Sequence, residues 1–182
     1  EWYKFLNLVL DVAEHYCHVK ELYTIGGIPS LSAHTVRREV LTIANSPQIK
    51  EVLSQYELTR MEHETPPGQR PTLNAFLLWL AQRRKITGAC LWVPIPFYLV
   101  AIEDPRAWRR TLEFFDKRLG LALDFSDLNE EIARQNEKIA QVRSRFPELD
   151  DYIRRLESNL SLTQQENNDL VKKIEEFLGK RE

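Results

Sequence analysis

Segments with one apolar face recur along the chain and predict its helices. Residues 2–16 place apolar side chains three and four positions apart, which is the spacing of an amphipathic helix. Residues 72–85 repeat this pattern. Ser46-Pro47 and Asp104-Pro105 each combine a capping side chain with a proline that suits the first helical turn, so a helix is predicted to begin at each. The second of these is predicted to end near Leu119.

Short apolar runs between these helices predict strands. They cover residues 19–25, 38–44 and 88–96, and the first is expected to end at Gly26-Gly27-Ile28-Pro29. Residues 56–71 are polar and proline-rich, and predict a loop. Strands that alternate with helices favour an α/β fold with a parallel or mixed sheet covered on both faces. Because only three strands are found, we expect missing strands to lie in an absent N-terminal portion or to come from a partner.

The last third of the chain predicts a helical hairpin or coiled coil. One helix begins at Ser126 and is broken at Pro147, which cannot donate to the helical ladder. Beyond it, apolar positions alternate at intervals of four and three over residues 149–177, as in a heptad repeat. The chain therefore divides into a partial α/β domain over residues 1–124 and a helical extension over residues 125–182.

This heptad seam is longer than a small core can cover, so we expect it to bind partners or a second copy of the chain. Asn167 interrupts it with a polar side chain. That residue either marks a solvated distal end or fixes the register of the helices at some cost in stability. The predicted interaction seam consists of Leu149, Ile153, Leu156, Leu160, Asn167, Leu170 and Ile174.

Composition narrows the possible partners. The formal net charge is −2 over 182 residues, so no strong field favours nucleic acid or an anionic membrane. The apolar runs are shorter than the roughly 20 residues of a membrane span. Cys17 and Cys90 are far apart and form no disulfide framework, which favours the cytoplasm. We therefore expect protein partners and a homo-oligomer.

Few residues predict chemistry. The chain has no Walker motif, dinucleotide fingerprint or zinc-protease motif, and we expect no cofactor or metal. His34 and Thr35 follow a strand, where open α/β sheets place binding crevices. Tyr98 follows another strand. A candidate ligand crevice is therefore predicted from Gly26, Gly27, His34, Thr35 and Tyr98, although a histidine in such a loop is more often a hydrogen-bonded structural residue.

A run of basic residues begins the helix after Asp104. Arg106, Arg109 and Arg110 are interleaved with the acidic residue Glu113. Mixed charge of this kind predicts a solvated helix face and not a nucleic-acid surface.

Several segments together resemble the proteasome assembly chaperone family, in particular bacterial and archaeal relatives of its second subunit. The resemblance covers nearly the whole chain in the expected order. It rests on Tyr23-Thr24-Ile25-Gly26-Gly27-Ile28-Pro29, Ala33-His34-Thr35, Leu91-Trp92-Val93-Pro94-Ile95-Pro96-Phe97-Tyr98, Asp104-Pro105-Arg106-Ala107, Leu119-Gly120-Leu121-Ala122-Leu123-Asp124 and Phe146-Pro147-Glu148-Leu149-Asp150-Asp151-Tyr152-Ile153.

The resemblance implies a three-layer α/β/α domain with a mixed sheet, similar to nucleoside phosphorylase folds, and a helical C-terminal extension. It also implies further strands before residue 1. Phe97 stands where the family often has histidine, and Ala33 replaces a proline, so a ligand site in these loops would be altered here. The ending Phe177-Leu178-Gly179-Lys180-Arg181-Glu182 differs from the hydrophobic-Tyr-X ending with which proteasome activators dock.

Two functions follow from these observations. The heptads and the resemblance favour a non-catalytic assembly-chaperone-like protein that binds partners. The alternative is a cryptic ligand-binding protein or an enzyme of ATP-grasp-like or phosphorylase-like type, with His34, Thr35 and Tyr98 around a small molecule. Chemistry of that kind requires several convergent groups, and the sequence does not display them.

Overall fold

The computed structural model describes residues 1–61 and 68–179. Its helices and strands follow one another in an α/β order, and a 3₁₀ turn at Phe97–Leu99 follows the last strand. Their bounds are α1 Trp2–His15, β1 Glu21–Ser30, β2 Val40–Ala44, α2 Pro47–Leu53, β3 Leu58–Arg60, α3 Leu73–Arg83, β4 Thr87–Pro96, α4 Pro105–Leu119, α5 Ser126–Arg145, α6 Pro147–Glu157 and α7 Gln164–Leu178.

The four strands form one open sheet in the order β1-β4-β2-β3. Strand β2 runs antiparallel to β4, with Ile43 opposite Cys90, and parallel to β3, with Leu41 opposite Thr59. The sheet is therefore mixed, which confirms the predicted fold class.

Two expectations about the strands are wrong. Strand β1 continues through Gly26 and Gly27 to Ser30 and does not end at the glycines. Strand β3 lies inside the segment predicted to be a loop, so the described part of the chain has four strands and not three. The rest of that predicted loop, residues 62–67, lies outside the described residues.

The chain forms two compact units that interleave in sequence. Unit 1 consists of Glu1–Gly26 and Glu39–Val93, and unit 2 of Gly27–Arg38 and Pro94–Glu182. Each unit therefore consists of two segments that are separated in the sequence. The linear division between residues 124 and 125 stays a prediction.

The core of unit 1 lies between α1 and α3. Leu6 and Leu10 of α1 are buried against Leu80 and Ala81 of α3 and against Ile86. The Thr72 hydroxyl accepts a hydrogen bond from the Ala75 amide at 3.2 Å and so caps α3 at its predicted start. The helix α1 forms as predicted, but most of its predicted apolar face is not buried: Leu6 is covered, whereas Trp2, Phe5, Val9 and Val12 are exposed.

The core of unit 2 is formed by the helical tail and two segments that precede it. Helix α7 packs against the 97–99 turn and against α5, and α6 covers the same cluster. The buried side chains of this cluster are Ala33, Tyr98, Leu99, Ile139, Val142, Leu149, Ile153, Leu156, Leu170 and Ile174.

The helix predicted over residues 149–177 is interrupted, which corrects the continuous heptad seam. Asn159 adopts a left-handed conformation with φ +57°. Its amide donates to the Leu156 carbonyl and the Leu160 amide to the Arg155 carbonyl, which is the Schellman pattern that ends α6. Thr163 then begins α7 through a capping box with Glu166. The tail is therefore three helices, not a two-helix hairpin.

Candidate functional site

His34 and Tyr98, two residues of the predicted crevice, form a buried hydrogen-bonded pair in unit 2. The Tyr98 hydroxyl accepts from the His34 backbone amide at 2.7 Å and lies 2.9 Å from Nδ1 of the same histidine. Because the hydroxyl already accepts from the amide, its own proton is free to be donated to Nδ1. That arrangement requires a neutral imidazole with its proton on Nε2.

Burial keeps this histidine neutral. It is the main cause that lowers the pKa of His34 to about 3, and the positive charges of Arg106, Arg143 and Arg38 lower it further. Burial also raises the pKa of the Tyr98 hydroxyl. At neutral pH neither group exchanges a proton readily. The geometry favours the structural alternative, in which the pair attaches the 33–35 loop to the 97–99 turn.

Thr35 is exposed and contacts a different part of unit 2. Its hydroxyl donates to Glu157 Oε1 at 3.2 Å, and the same oxygen accepts from Arg143 Nη1 at 3.0 Å. Arg143 Nε also donates to Asp150 at 2.6 Å. This network links the 33–35 loop to α5 and α6.

The two predicted glycines serve close packing. A Cβ atom at Gly26 would lie 2.5 Å from the Trp92 ring in unit 1, and one at Gly27 would lie 2.5 Å from Ile95 Cδ1 in unit 2. Each glycine therefore makes room for a side chain of β4, and their predicted role as a turn is wrong. The five residues of the predicted crevice therefore do not share one site. His34 and Tyr98 form a buried pair, Thr35 is exposed beside Glu157, and the two glycines pack against side chains of β4.

Most of the predicted interaction seam lies in the core of unit 2. Leu160 differs, because it follows the end of α6 and is 57% exposed. Asn167 is half-buried on α7, and its Oδ1 is buried without a hydrogen-bond partner in the described part of the chain. The seam residues that are fully covered are Leu149, Ile153, Leu156, Leu170 and Ile174.

The sequence did not indicate a cluster of arginines around the 33–38 loop. Arg38 is 4% exposed and forms an ion pair with the buried Asp104 at 3.2 Å. Its Nη1 donates to the carbonyls of Ala33 and Val36. Arg110 Nε donates to the Arg38 carbonyl at 3.1 Å. The loop is therefore held by guanidinium groups from two segments.

The prediction of a solvated basic face on α4 is consequently wrong in part. Arg110 is 8% exposed, and Arg106 is half-buried with a hydrogen bond to Asn136. Burial lowers the pKa of Arg106, and the charge of Arg38 lowers it further. Arg110 and Arg106 therefore do not belong to a solvated helix face.

Unit 1 contains an open apolar cavity of about 840 Å³. Phe76 and Trp79 line it and stack with ring centroids 5.7 Å apart, while the Arg83 guanidinium covers the Trp79 ring at 4.1 Å. Asn45, Lys50 and Gln82 supply polar groups among its lining residues.

Helix α4 carries an apolar stripe on its exposed side. Trp108, Leu112, Phe115 and Leu119 follow one another at intervals of four, three and four, so they share one helical face. Trp108, Leu112 and Leu119 are exposed, and Phe115 is half-buried. We call these four residues the α4 stripe. Unit 1 has a second exposed apolar face on α1, formed by Trp2, Tyr3, Phe5, Leu8, Val9 and Val12.

Within residues 1–61 and 68–179, no group of three or more His, Cys, Asp and Glu side chains is placed to hold a metal ion. No helix in the same residues has both the length and the apolar content needed to cross a membrane.

Solved structures share this fold at low sequence identity. A Mycobacterium tuberculosis protein of unknown function superimposes with a TM-score of 0.73 at 24% identity, over 98% of this chain and 58% of that one. A proteasome-assembly chaperone homologue from the same organism superimposes with a TM-score of 0.67 at 19% identity, over 84% of this chain and 61% of that one. PbaB, an archaeal proteasome activator from Pyrococcus furiosus, superimposes with a TM-score of 0.63 at 20% identity, over 78% of this chain and 58% of that one.

The chain thus spans about three fifths of the length of these structures. A comparison with curated proteins found no match. The model of the PAC2 family matches residues 1–143, which include both units' sheet strands, α4 and most of α5. The chain therefore belongs to the PAC2 family.

Proposed function

We propose that this PAC2-family chain acts by binding other proteins, in the manner of an assembly chaperone, and that it catalyses no reaction of its own. The family supports a chaperone-like role, because relatives with the same fold include a proteasome-assembly chaperone homologue and a proteasome activator. Proteasome subunits are therefore the first partners to test. The two free cysteines, Cys17 and Cys90, are consistent with the cytoplasm as its compartment.

The α4 stripe is the observation that carries this proposal. It brings Trp108, Leu112, Phe115 and Leu119 to one face of a helix, and three of these side chains are exposed. Exposed apolar patches of this kind are typical of protein-protein contact surfaces, and tryptophan is enriched among the residues that contribute most to binding. A partner helix that lays its own apolar face on the stripe would fit this spacing.

The buried His34–Tyr98 pair supports the absence of catalysis. Both side chains are held by each other, and the pKa of His34 is about 3. A general base operates best with a pKa near the pH of the reaction. The enzyme alternative would need this pair to open.

The test compares binding by two matched variants. The 182-residue chain is titrated with purified proteasome subunits of its own organism and followed by native mass spectrometry and sedimentation velocity. Leu112→Glu with Leu119→Glu places two charges on the stripe. Leu160→Glu is the control, because Leu160 is 57% exposed and Leu119 is 58% exposed.

We expect the wild type and the control to bind alike, and the stripe variant to bind at least about tenfold more weakly, since two charges would face an apolar contact. Equal binding by the stripe variant would contradict the stripe as the contact surface. Absence of binding by the wild type would contradict proteasome subunits as the partner. The sedimentation data of the chain alone test the expected homo-oligomer.

A further inference from the structure

A concave pocket in unit 2 collects positive charge. It has a volume of about 220 Å³ and lies between the 35–38 loop, α4 and α5. Five guanidinium groups and one carboxylate, that of Glu113, are among the side chains that line it. The charged residues of the lining are Arg37, Arg38, Arg106, Arg109, Arg110 and Glu113.

The single carboxylate of the lining is already compensated. Glu113 Oε1 accepts from Arg109 Nε at 3.0 Å, and Glu113 Oε2 lies 3.4 Å from Arg110 Nη1. Arg109 Nη1 also donates to Asn129 at 2.7 Å. The acidic side chain thus orients two arginines of the pocket, and it does not leave an uncompensated negative charge there.

Two guanidinium groups of the lining have buried N–H groups that the described residues do not satisfy. They are Arg38 Nε and Arg106 Nη1. Arg38 is 96% buried, as its exposed fraction is 4%. A buried charged donor without an acceptor is costly, and such a group normally has a partner, which includes ligands.

The electrostatics of Arg106 agree with a missing anion. Burial, and then the charge of Arg38, lower the pKa of Arg106, while the charge of Asp104 opposes this and the net shift is still downward. A bound anion beside Arg106 would oppose the lowering further.

We propose that this pocket is a binding site for a phosphate-class oxyanion, held by Arg38, Arg106 and Arg109. A tetrahedral dianion can accept hydrogen bonds from several guanidinium groups at once, and arginine forks match its oxygens. The volume is below the roughly 300–1,000 Å³ typical of sites for larger ligands, so the site fits a single phosphate group and not a whole nucleotide.

The test uses inorganic phosphate with the 182-residue chain alone, so its outcome is independent of the protein partner. Thermal unfolding and titration calorimetry are carried out in sodium phosphate and in sodium chloride of equal ionic strength. We expect phosphate to raise Tm by about 3 °C at concentrations about tenfold above Kd, while chloride does not.

Three variants locate the site. Arg106→Gln is expected to abolish the phosphate-dependent rise in Tm. Arg109→Gln, which changes a partly exposed side chain, is expected to weaken phosphate binding about tenfold. Arg134→Gln removes the same charge from an exposed position of α5 outside the pocket and should bind phosphate like the wild type. An equal rise in chloride, or an undiminished rise in both pocket variants, would overturn the proposal.

A phosphate monoester identifies the source of the oxyanion. If phosphoserine binds more tightly than inorganic phosphate and loses affinity in Arg109→Gln, the site receives phosphate carried by a larger molecule. If inorganic phosphate binds more tightly, the site receives the free ion. Either result supports the oxyanion site, and failure of both to bind contradicts it.

Discussion

Helices α4 and α6 of unit 2 both carry apolar side chains at intervals of four and three, but the chain covers only one of the two sets. Leu149, Ile153 and Leu156 of α6 are enclosed by neighbouring helices, whereas Leu112 and Leu119 of α4 remain exposed. The same sequence pattern therefore serves an internal core in one helix and an outward surface in the other. Periodicity shows which face of a helix is apolar, but not what covers it.

The largest expected effect is a difference in stability between a substitution in the buried set and one in the exposed set. Ile153→Ala empties space in a fully buried cluster and should lower the free energy of unfolding by about 3 kcal/mol. Leu119→Ala on the stripe should change it by less than about 0.5 kcal/mol, because the Leu119 side chain is 58% exposed. Urea unfolding of both variants and the wild type measures this difference.

The comparison fails if both substitutions destabilise the chain equally. In that case another part of the chain covers the stripe, and the stripe is not available to a partner.

The second prediction concerns the His34–Tyr98 pair, since Tyr98 belongs to the same buried cluster as Ile153. The pKa of His34 is about 3 in the folded chain, against an ordinary value of 6.5. Because the folded value is the lower one, the unfolded chain binds a proton first as the pH falls. Stability is therefore complete above pH 6.5 and declines between pH 6.5 and 3, by about 2 kcal/mol down to pH 5.

Urea unfolding at several pH values measures this loss. The positive charges that lower the pKa of His34, those of Arg38, Arg106 and Arg143, remain positive throughout this range. His34→Gln should remove most of the decline, whereas His15→Gln, at an exposed position of α1, should keep it. A decline of the same size in both variants would show that other groups cause it.

The sequence allowed much of the fold to be predicted because its signals are local. Ser46-Pro47 and Asp104-Pro105 begin helices where expected, and α1 forms over residues whose apolar side chains have helical spacing. Strand β3 was missed because it has only three residues, two of them exposed, and exists through its pairing with β2. Such a strand has no pattern of its own in the sequence.

The arginine pocket could not be predicted for a different reason. Arg38 and Asp104 are 66 positions apart, and their ion pair exists only once the fold brings the 33–38 loop to the start of α4. Alternating charges on α4 suggested a solvated face, but Arg110 is buried because it binds the Arg38 carbonyl. A local charge pattern does not indicate which arginines are needed by a distant backbone group.

The interruption of the heptad seam could have been predicted from the sequence. Asn is, after Gly, a residue that tolerates the left-handed conformation at a helix end, and Thr163-Gln164-Gln165-Glu166 is a capping box. The regular spacing of leucines concealed both signals. Leu160, which the heptad count placed in the seam, instead follows the end of α6 and is exposed.

The smallest expected effect tests this interruption. Thr163→Ala removes the hydroxyl that accepts from the Glu166 amide at 3.3 Å, and should lower the free energy of unfolding by about 1 kcal/mol. Ser161→Ala, at an exposed position of the same linker, should change it by less than about 0.5 kcal/mol. If α6 and α7 were instead one continuous helix in solution, alanine at residue 163 would favour it, and Thr163→Ala would raise both stability and helical content by circular dichroism. The sign of the change thus decides between a tail that folds back into the core of unit 2 and a long helix whose seam is open to partners.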